Sequence, residues 1–254
     1  ILPIQEDMEA VTASSLSPSG MQLAGKHGTG VISIASASRE GLAALPTQWA
    51  FAEGSAAEHG KSVSRRDWRV LMSWHIAESK QQAQQEALHG LHRWHNEYNV
   101  DILGRPGAER VEDPWVLMEQ VAGGAAGGTA VVGTPDDLVS AIRSLYEVTG
   151  GFGVVIGFAH DWANHEATRR SWDLVARYVI PEINGQLRHL RKSAAFLREN
   201  QAQLMGGATQ AVMAKIAETP GATEALAVTM AERAAATQGS SEWRPGADIS
   251  RGTN

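Results

Sequence analysis

The chain contains no cysteine, which excludes disulfide bonds, thiolate metal sites and cysteine nucleophiles. Its lysines and arginines are scattered and its formal net charge is −6, which argues against a nucleic-acid partner. No apolar run approaches the roughly 18 residues of a membrane-spanning helix. The N-terminus also lacks the basic and apolar regions of a signal peptide. We therefore expect a cytoplasmic protein with no nucleic-acid or membrane partner.

Short apolar runs alternate with longer amphipathic segments along the 254 residues, which is the pattern of βα units around a parallel sheet. Four such units can be counted, and we expect their strands to be adjacent and parallel. The predicted strands are residues 8–15, 30–35, 68–74 and 153–158. The predicted helices are residues 16–25, 42–59, 78–98, 134–148, 166–178, 181–199 and 208–236.

The helix after Gly133 has the clearest start signal in the sequence. Thr134 can serve as its N-cap and Pro135 suits its first position. Asp136 and Asp137 complement the positive end of the helix dipole. The pattern therefore predicts a helix that starts at this point and stops at the glycine pair 150–151.

Three other segments are assigned no catalytic or ligand-binding residue. The connection 100–129 is a candidate functional insertion or mobile lid, and its glycine-rich run 123–128 is predicted to be a flexible turn. The tail 238–254 is predicted to be disordered. Histidines repeat every third residue on a predicted helix, but no acidic residue completes a metal set, so a solvated helix face is favoured. These histidines are His89, His92 and His95.

Four βα units do not close a barrel, since a complete eight-stranded barrel takes about 250 residues and this chain spends its last part on helix and tail. A sheet of four parallel strands would leave two unprotected edges and one uncovered hydrophobic face. The first residue is Ile1 rather than methionine. We therefore expect either a fragment or a chain that needs a partner.

Three segments carry a specific resemblance: residues 11–28, residues 133–137, and Gly150-Gly-Phe-Gly153 followed by residues 159–164. They are similar to the second half of luciferase-like flavin-dependent monooxygenases, most of all to the limonene monooxygenase branch. The resemblance implies an α/β fold, a TIM (β/α)8-barrel of the bacterial luciferase type. Only about the C-terminal half of the barrel is present, plus C-terminal helices. The implied domains are 1–200, the half-barrel, and 201–254, a C-terminal helix and flexible tail.

The resemblance also implies a function. It indicates a flavin-dependent monooxygenase that uses reduced flavin and O₂ to oxidise a small apolar organic substrate. The implied cofactor is FMN or FAD, reduced by a separate flavin reductase, and the implied assembly at full length is a homo-oligomer. Two alternatives stay open. One is a non-catalytic flavin-binding or structural subunit that pairs with a catalytic homologue, and the other is a barrel enzyme with a phosphorylated substrate and no flavin.

Site chemistry is clearest in the segment 14–20, which joins the first strand to its helix. Ser17 can cap this helix and Pro18 fits its first position, so the backbone N–H groups of the first turn are free to face an anion. A serine-proline pair that merely caps a helix is the alternative. The resemblance implies that the anion is the FMN phosphate. The candidate cofactor-binding residues here are Ser15, Ser17, Ser19, Gly20 and Met21.

A second candidate site follows the fourth strand, where barrel active-site residues concentrate. Trp162 offers a flat apolar wall for a flavin ring or a substrate, and His160 offers a hydrogen bond or proton transfer with a pKa near working pH. Trp74 and His75 end the third strand and are expected at the same mouth. We predict His160 and His75 as catalytic and Trp162 as cofactor-binding. A capping histidine and a packing tryptophan are the alternative.

Overall fold

The computed structural model describes residues 8–34, 38–105, 107–122 and 129–239. The chain divides into two compact units, Ile1–Leu187 and Arg188–Asn254. The first unit contains a parallel sheet with its helices, and the second contains two helices. The predicted turn at 123–128 and the predicted tail from residue 240 onward lie outside the described residues. Within them, every helix is too short or too polar to cross a lipid bilayer.

Five strands form one sheet in which every pairing is parallel. They are β1 (Val11–Ser14), β2 (Gly30–Ser33), β3 (Trp68–Ile76), β4 (Ala130–Gly133) and β5 (Val154–Phe158). Arg69 of β3 is paired both with Ile32 of β2 and with Val154 of β5, so those two strands lie on opposite edges of β3. The four predicted strands therefore lie side by side in the order β1, β2, β3, β5, and the parallel α/β prediction is confirmed.

The strand β4 was not predicted. Sequence analysis placed a long connection at 100–129 and assigned no element to residues 130–132, because the run Ala130-Val-Val-Gly133 is too short to show an alternation. The structure pairs this run with Ser73–Ile76, the last four residues of β3. A tertiary contact, rather than local periodicity, makes it a strand.

Nine helices are seen in the described residues. They are α1 (Ser19–His27), α2 (Arg39–Glu58), α3 (Lys80–Arg93), α4 (Pro114–Ala122), α5 (Pro135–Thr149), α6 (His165–Leu174), α7 (Ile180–Ile183), α8 (Arg188–Glu218) and α9 (Ala222–Gly239). Helices α3 and α6 continue as π-helical turns over Trp94–Ile102 and Val175–Val179. The predicted helix 181–199 is wrong, because Gly185 takes a left-handed φ of 67° between α7 and α8.

The signals around α5 act as predicted. The Thr134 hydroxyl accepts a hydrogen bond from the Asp137 N–H, and the Asp137 carboxylate accepts one from the Thr134 N–H, which completes a capping box. Gly150 ends the helix with a left-handed φ of 73°. Local sequence therefore determines both ends of this helix.

Side chains alternate along β3 and so divide the sheet into two faces. Trp68 and Val70 lie in a core with α1 and α2, and Trp74 and Ile76 lie in a second core with α5. The opposite face, which we call the open face, carries apolar side chains that are exposed or half-buried. These residues are Val11, Ile32, Leu71, Val154, Ile156 and Phe158.

The sheet edges are also open within the described part of the chain. There β1 pairs only with β2, and β5 pairs only with β3. Open edges and an open apolar face are what half of a parallel barrel should have. The structure therefore fits the expected half-barrel.

Gly157 of β5 provides a test of the helix-covered core. A Cβ at this position would overlap the rings of Trp74 and Trp172, so we expect Gly157→Ala to destabilise the fold by about 1–3 kcal/mol. Gly54 of α2 is the control, because a Cβ there meets no atom within 4 Å. Gly54→Ala should raise the melting temperature, since alanine favours a helix by up to about 1 kcal/mol over glycine. Equal melting temperatures for the two variants would contradict this packing.

Candidate functional site

The N-terminus of α1 lies at the carboxyl end of β1. The first helical hydrogen bond runs from the Gln22 N–H to the Pro18 carbonyl at 2.9 Å. The N–H groups of the three preceding residues therefore have no partner inside the helix. No acidic residue occupies the first turn. This helix end is therefore positive, with no carboxylate in its own first turn to offset the charge.

The predicted serine cap of α1 is wrong. Pro18 holds the cap position, with φ −70° and ψ −8°, and makes no side-chain cap bond. The Ser17 hydroxyl lies 2.7 Å from the Ser19 hydroxyl instead. The helix therefore begins at Ser19, one residue after the start at Pro18 that a Ser17 cap would give.

The start of α1 packs tightly against β1. A Cβ on Gly20 would overlap the Ala13 carbonyl and the Ser14 backbone, so glycine is needed here for packing whether or not a ligand binds. The Ser14 side chain is buried, and its hydroxyl has no hydrogen-bond partner among the described residues. Met21 is fully buried in the core, so only its backbone N–H can reach a ligand. The other three predicted residues, Ser15, Ser17 and Ser19, are exposed at this end.

Four rings cluster at the carboxyl end of β5, and we call them the aromatic box: Trp94, Phe158, His160 and Trp162. The His160 ring stacks on Trp162 with centroids 4.1 Å apart and planes at 10°. Phe158 and Trp94 meet the same imidazole edge-on, at 4.4 and 4.9 Å. The imidazole therefore lies inside a set of aromatic rings.

Burial in the aromatic box lowers the pKa of His160 to about 4, against a small opposing effect of Asp161. The sequence-based expectation of a pKa near working pH is wrong, because the rings around the imidazole replace the water that would solvate its charge. At neutral pH His160 is uncharged. Its Nε2 lies 2.9 Å from the Ser73 hydroxyl, which holds the ring in place.

Trp162 is only 3% exposed and packs in a core with Leu88 and Leu91 of α3. A Cβ on Gly90 would overlap the Trp162 backbone, so α3 lies directly on this segment. His160 covers one face of the indole. Trp162 thus supports the imidazole from behind, and its predicted direct contact with a cofactor stays a prediction.

His75 lies on the same face of β3 as Ser73, but it is buried and already paired. Its Nε2 is 2.9 Å from Glu86 of α3, which also accepts hydrogen bonds from Gln82 and from Arg170 of α6. Burial raises the pKa of Glu86, but the hydrogen bonds from His75 and Gln82 and the charge of Arg170 lower it overall. His75 therefore belongs to an ion network that joins β3, α3 and α6.

Trp74 was expected to face the mouth, and this prediction is wrong. Its ring meets Trp172 of α6 at 5.0 Å and lies in the core on the helix-covered side. The alternation of β3 forces neighbouring residues onto opposite faces, so Trp74 and His75 cannot share one.

The histidines of α3 are less solvated than predicted. His89 is exposed, but His92 Nε2 donates to the Val111 carbonyl at 2.7 Å and His95 Nε2 donates to the Glu109 carbonyl at 2.8 Å. They hold the connection before α4 against the helix. Nowhere in the described ranges do three or more His, Asp or Glu residues group as metal ligands.

Sequence reasoning missed the partners of the predicted histidines. Ser73, which holds His160, could have been found because it lies two residues before His75 on a strand. Phe158 could have been found as the last residue of the fourth predicted strand. Trp94, Glu86 and Arg170 come from helices whose packing no local pattern reports.

The fold and the site define a class. A parallel βα half-barrel with a positive helix end and an aromatic cluster, both at the carboxyl ends of its strands, has the architecture of half of an α/β barrel.

Comparisons with known proteins agree with this class, although no model of a protein family matches the chain. The chain is 38% identical over 190 residues to 4-hydroxyprotoasukamycin monooxygenase of Streptomyces nodosus subsp. asukaensis, covering 74% of the chain and 50% of that protein. It is 38% identical over 187 residues to limonene 1,2-monooxygenase of Rhodococcus erythropolis, covering 74% of the chain and 46% of that protein.

Solved structures agree as well. One is the oxygenating constituent of 3,6-diketocamphane monooxygenase from Pseudomonas putida, in complex with FMN. It matches with a TM-score of 0.52 and 26% sequence identity, and the match covers 67% of this chain and 47% of that chain. Monooxygenase RslO1 from Streptomyces bottropensis matches in fold, with a TM-score of 0.51 and 18% sequence identity. This match covers 69% of this chain and 48% of that chain. The chain is similar to these monooxygenases over 74% of its length and spans about half the length of the curated relatives it matches.

The neutral state of His160 predicts how stability depends on pH. The pKa of His160 is about 4 in the folded protein and 6.5 for an unperturbed histidine, so the unfolded chain binds this proton first as the pH falls. The free energy of unfolding should therefore decrease from about pH 6.5 towards pH 4. In His160→Gln this contribution is absent, so its melting temperature should fall less over the same range. Parallel melting curves against pH for both proteins would contradict a buried neutral imidazole.

Proposed function

We propose that the complete enzyme is a flavin-dependent monooxygenase that uses reduced FMN and O₂ to oxidise a small apolar organic substrate. The observation that carries this proposal is the placement of two features at the same end of the sheet. The positive end of α1 and the aromatic box both follow carboxyl ends of parallel strands, where barrel enzymes bind their ligands.

The residues at the start of α1 suit a phosphate group. The N–H groups of Ser19, Gly20 and Met21 supply donors and a positive helix end without a competing carboxylate. The exposed hydroxyls of Ser15 and Ser17 could add hydrogen bonds to an anion. The buried Ser14 hydroxyl, which has no partner among the described residues, is a further polar group at this strand end.

The aromatic box suits an apolar reactant. Bound reduced flavin supplies the activation of O₂, which no amino-acid side chain does. The chain's own residues would bind the reactants, orient them and keep water out. His160 is neutral and tethered to Ser73, so we assign it a hydrogen-bonding role towards the reacting groups. His75 is less suited to meet them, because Glu86 already engages its Nε2.

We further propose that a separate flavin reductase supplies the reduced FMN and that the complete enzyme is a homo-oligomer. The reductase is supported by one relative, whose name describes it as the oxygenating constituent of its monooxygenase. Relatives named for limonene and diketocamphane support a cyclic, largely hydrocarbon substrate. The oligomer rests on the family resemblance alone.

The phosphate site can be tested at Ser19, which is exposed at the start of α1. Ser19→Glu adds a negative charge that favours the helix N-terminus by about 0.3–1 kcal/mol and repels a phosphate. We expect FMN affinity to fall by about tenfold or more while the melting temperature is kept. Ser19→Gln is the uncharged control of similar size. Gly20 is unsuitable for this test because its replacement would disturb the contact with β1.

Riboflavin, which has no phosphate, separates the possible outcomes. Its dissociation constant should be the same in the unaltered chain and in both variants, measured by flavin fluorescence. An FMN affinity that is insensitive to Ser19→Glu would remove this helix end from the site. Binding of inorganic phosphate without any binding of riboflavin would favour the barrel enzyme that lacks flavin.

A further inference from the structure

Phe158 is the exposed member of the aromatic box. It is the last residue of β5 and is 45% exposed, whereas Trp162 is 3% exposed. One side of its ring meets the His160 imidazole at 4.4 Å with planes at 81°. His160 is in turn fixed by Trp94, Trp162 and the Ser73 hydroxyl. The box is therefore closed on three sides, and Phe158 forms the side that remains accessible.

The position of Phe158 in the sheet distinguishes it from the other exposed apolar residues of β5. Phe158 is paired with Ser73 and lies on the open face together with Ile156 and Val154. In closed barrels the interior positions along a strand form stacked layers of packed side chains, and the last layer borders the active-site mouth. Val154 and Ile156 occupy lower layers, and Phe158 occupies the last one.

The surroundings of Phe158 define the chemistry that it can meet. Its neighbours in the box are two indoles and an uncharged imidazole, so the accessible surface is apolar with a single hydrogen-bonding pair, His160 and Ser73. A flat aromatic face binds a ring of similar size better than it binds a flexible chain, because less conformational freedom is lost on contact. An anionic ligand would lose its hydration there and would be repelled by the neighbouring Asp161 carboxylate.

We propose that Phe158 contacts the substrate directly and determines a preference for cyclic over linear apolar substrates. This inference rests on the proposed monooxygenase function and assigns a residue to its substrate side. The α1 end would hold the flavin phosphate, and the Phe158 ring would form the wall against which the substrate ring is held.

The test compares the binding of two hydrocarbons, limonene and decane, to the chain in the presence of FMN. Affinities are measured by partitioning from the headspace, and FMN affinity is measured in parallel. Phe158→Ala should weaken limonene binding about tenfold, or about 1.4 kcal/mol, and decane binding less than threefold. FMN affinity should stay within twofold. Phe158→Leu keeps apolar volume and guards against a folding defect, and it should also lose the preference for limonene.

Phe196 of α8 provides the matched control. It is an exposed phenylalanine, at 56%, in the other unit of the chain. Phe196→Ala should leave both hydrocarbon affinities unchanged.

Three results would overturn the proposal: no limonene binding by the unaltered chain, unchanged limonene affinity in both Phe158 variants, or an equal loss of FMN affinity, which would make Phe158 a flavin contact. If the chain binds limonene through Phe158 but binds no FMN, the result would support the substrate contact of Phe158 and overturn the proposed flavin-dependent function.

Discussion

Parallel pairing along β3 is the constraint on which the rest of the structure depends. This nine-residue strand has β2 on one edge and β5 on the other, and β4 joins its last four residues. Parallel pairing brings the carboxyl ends of all strands to one side of the molecule. Strict alternation then sends Trp74 to the helices and Ser73 and His75 to the opposite face. The position of each candidate residue follows from these two rules.

The two candidate histidines illustrate two ways in which a fold accommodates a buried imidazole. His160 is kept uncharged by the rings around it and needs only a hydroxyl to hold its Nε2. His75 is held by a carboxylate whose own charge is balanced by Arg170. The first arrangement leaves an apolar surface beside a hydrogen bond, while the second ties three elements together. The sequence around each histidine does not reveal its hydrogen-bond partner, because these partners lie 11 and 87 residues away.

Features that depend on residues close together in sequence were predicted correctly. The Thr134 cap of α5, its terminal glycine and the four main strands depend on residues adjacent in sequence, and all were predicted. The strand β4, the split between α7 and α8 and the true start of α1 were missed. Of these, β4 depends on β3, and α1 depends on the φ and ψ of Pro18. The ends of the third and fourth predicted strands were expected at one mouth. That Ser73 is the residue of β3 that meets His160 required the sheet register.

The open edges of β1 and β5 have a consequence for how such a sheet is completed. Pairing a new strand at only one edge would leave the other backbone groups exposed and the interior layers of side chains still in water. Closure therefore favours an all-or-none step in which both edges are paired together, and contacts of that kind join residues far apart in sequence. Such steps are slow, and until they are finished the bare edges can pair with any other extended chain nearby. The same geometry that gathers the site at one end makes the unclosed sheet the species most exposed to aggregation during folding.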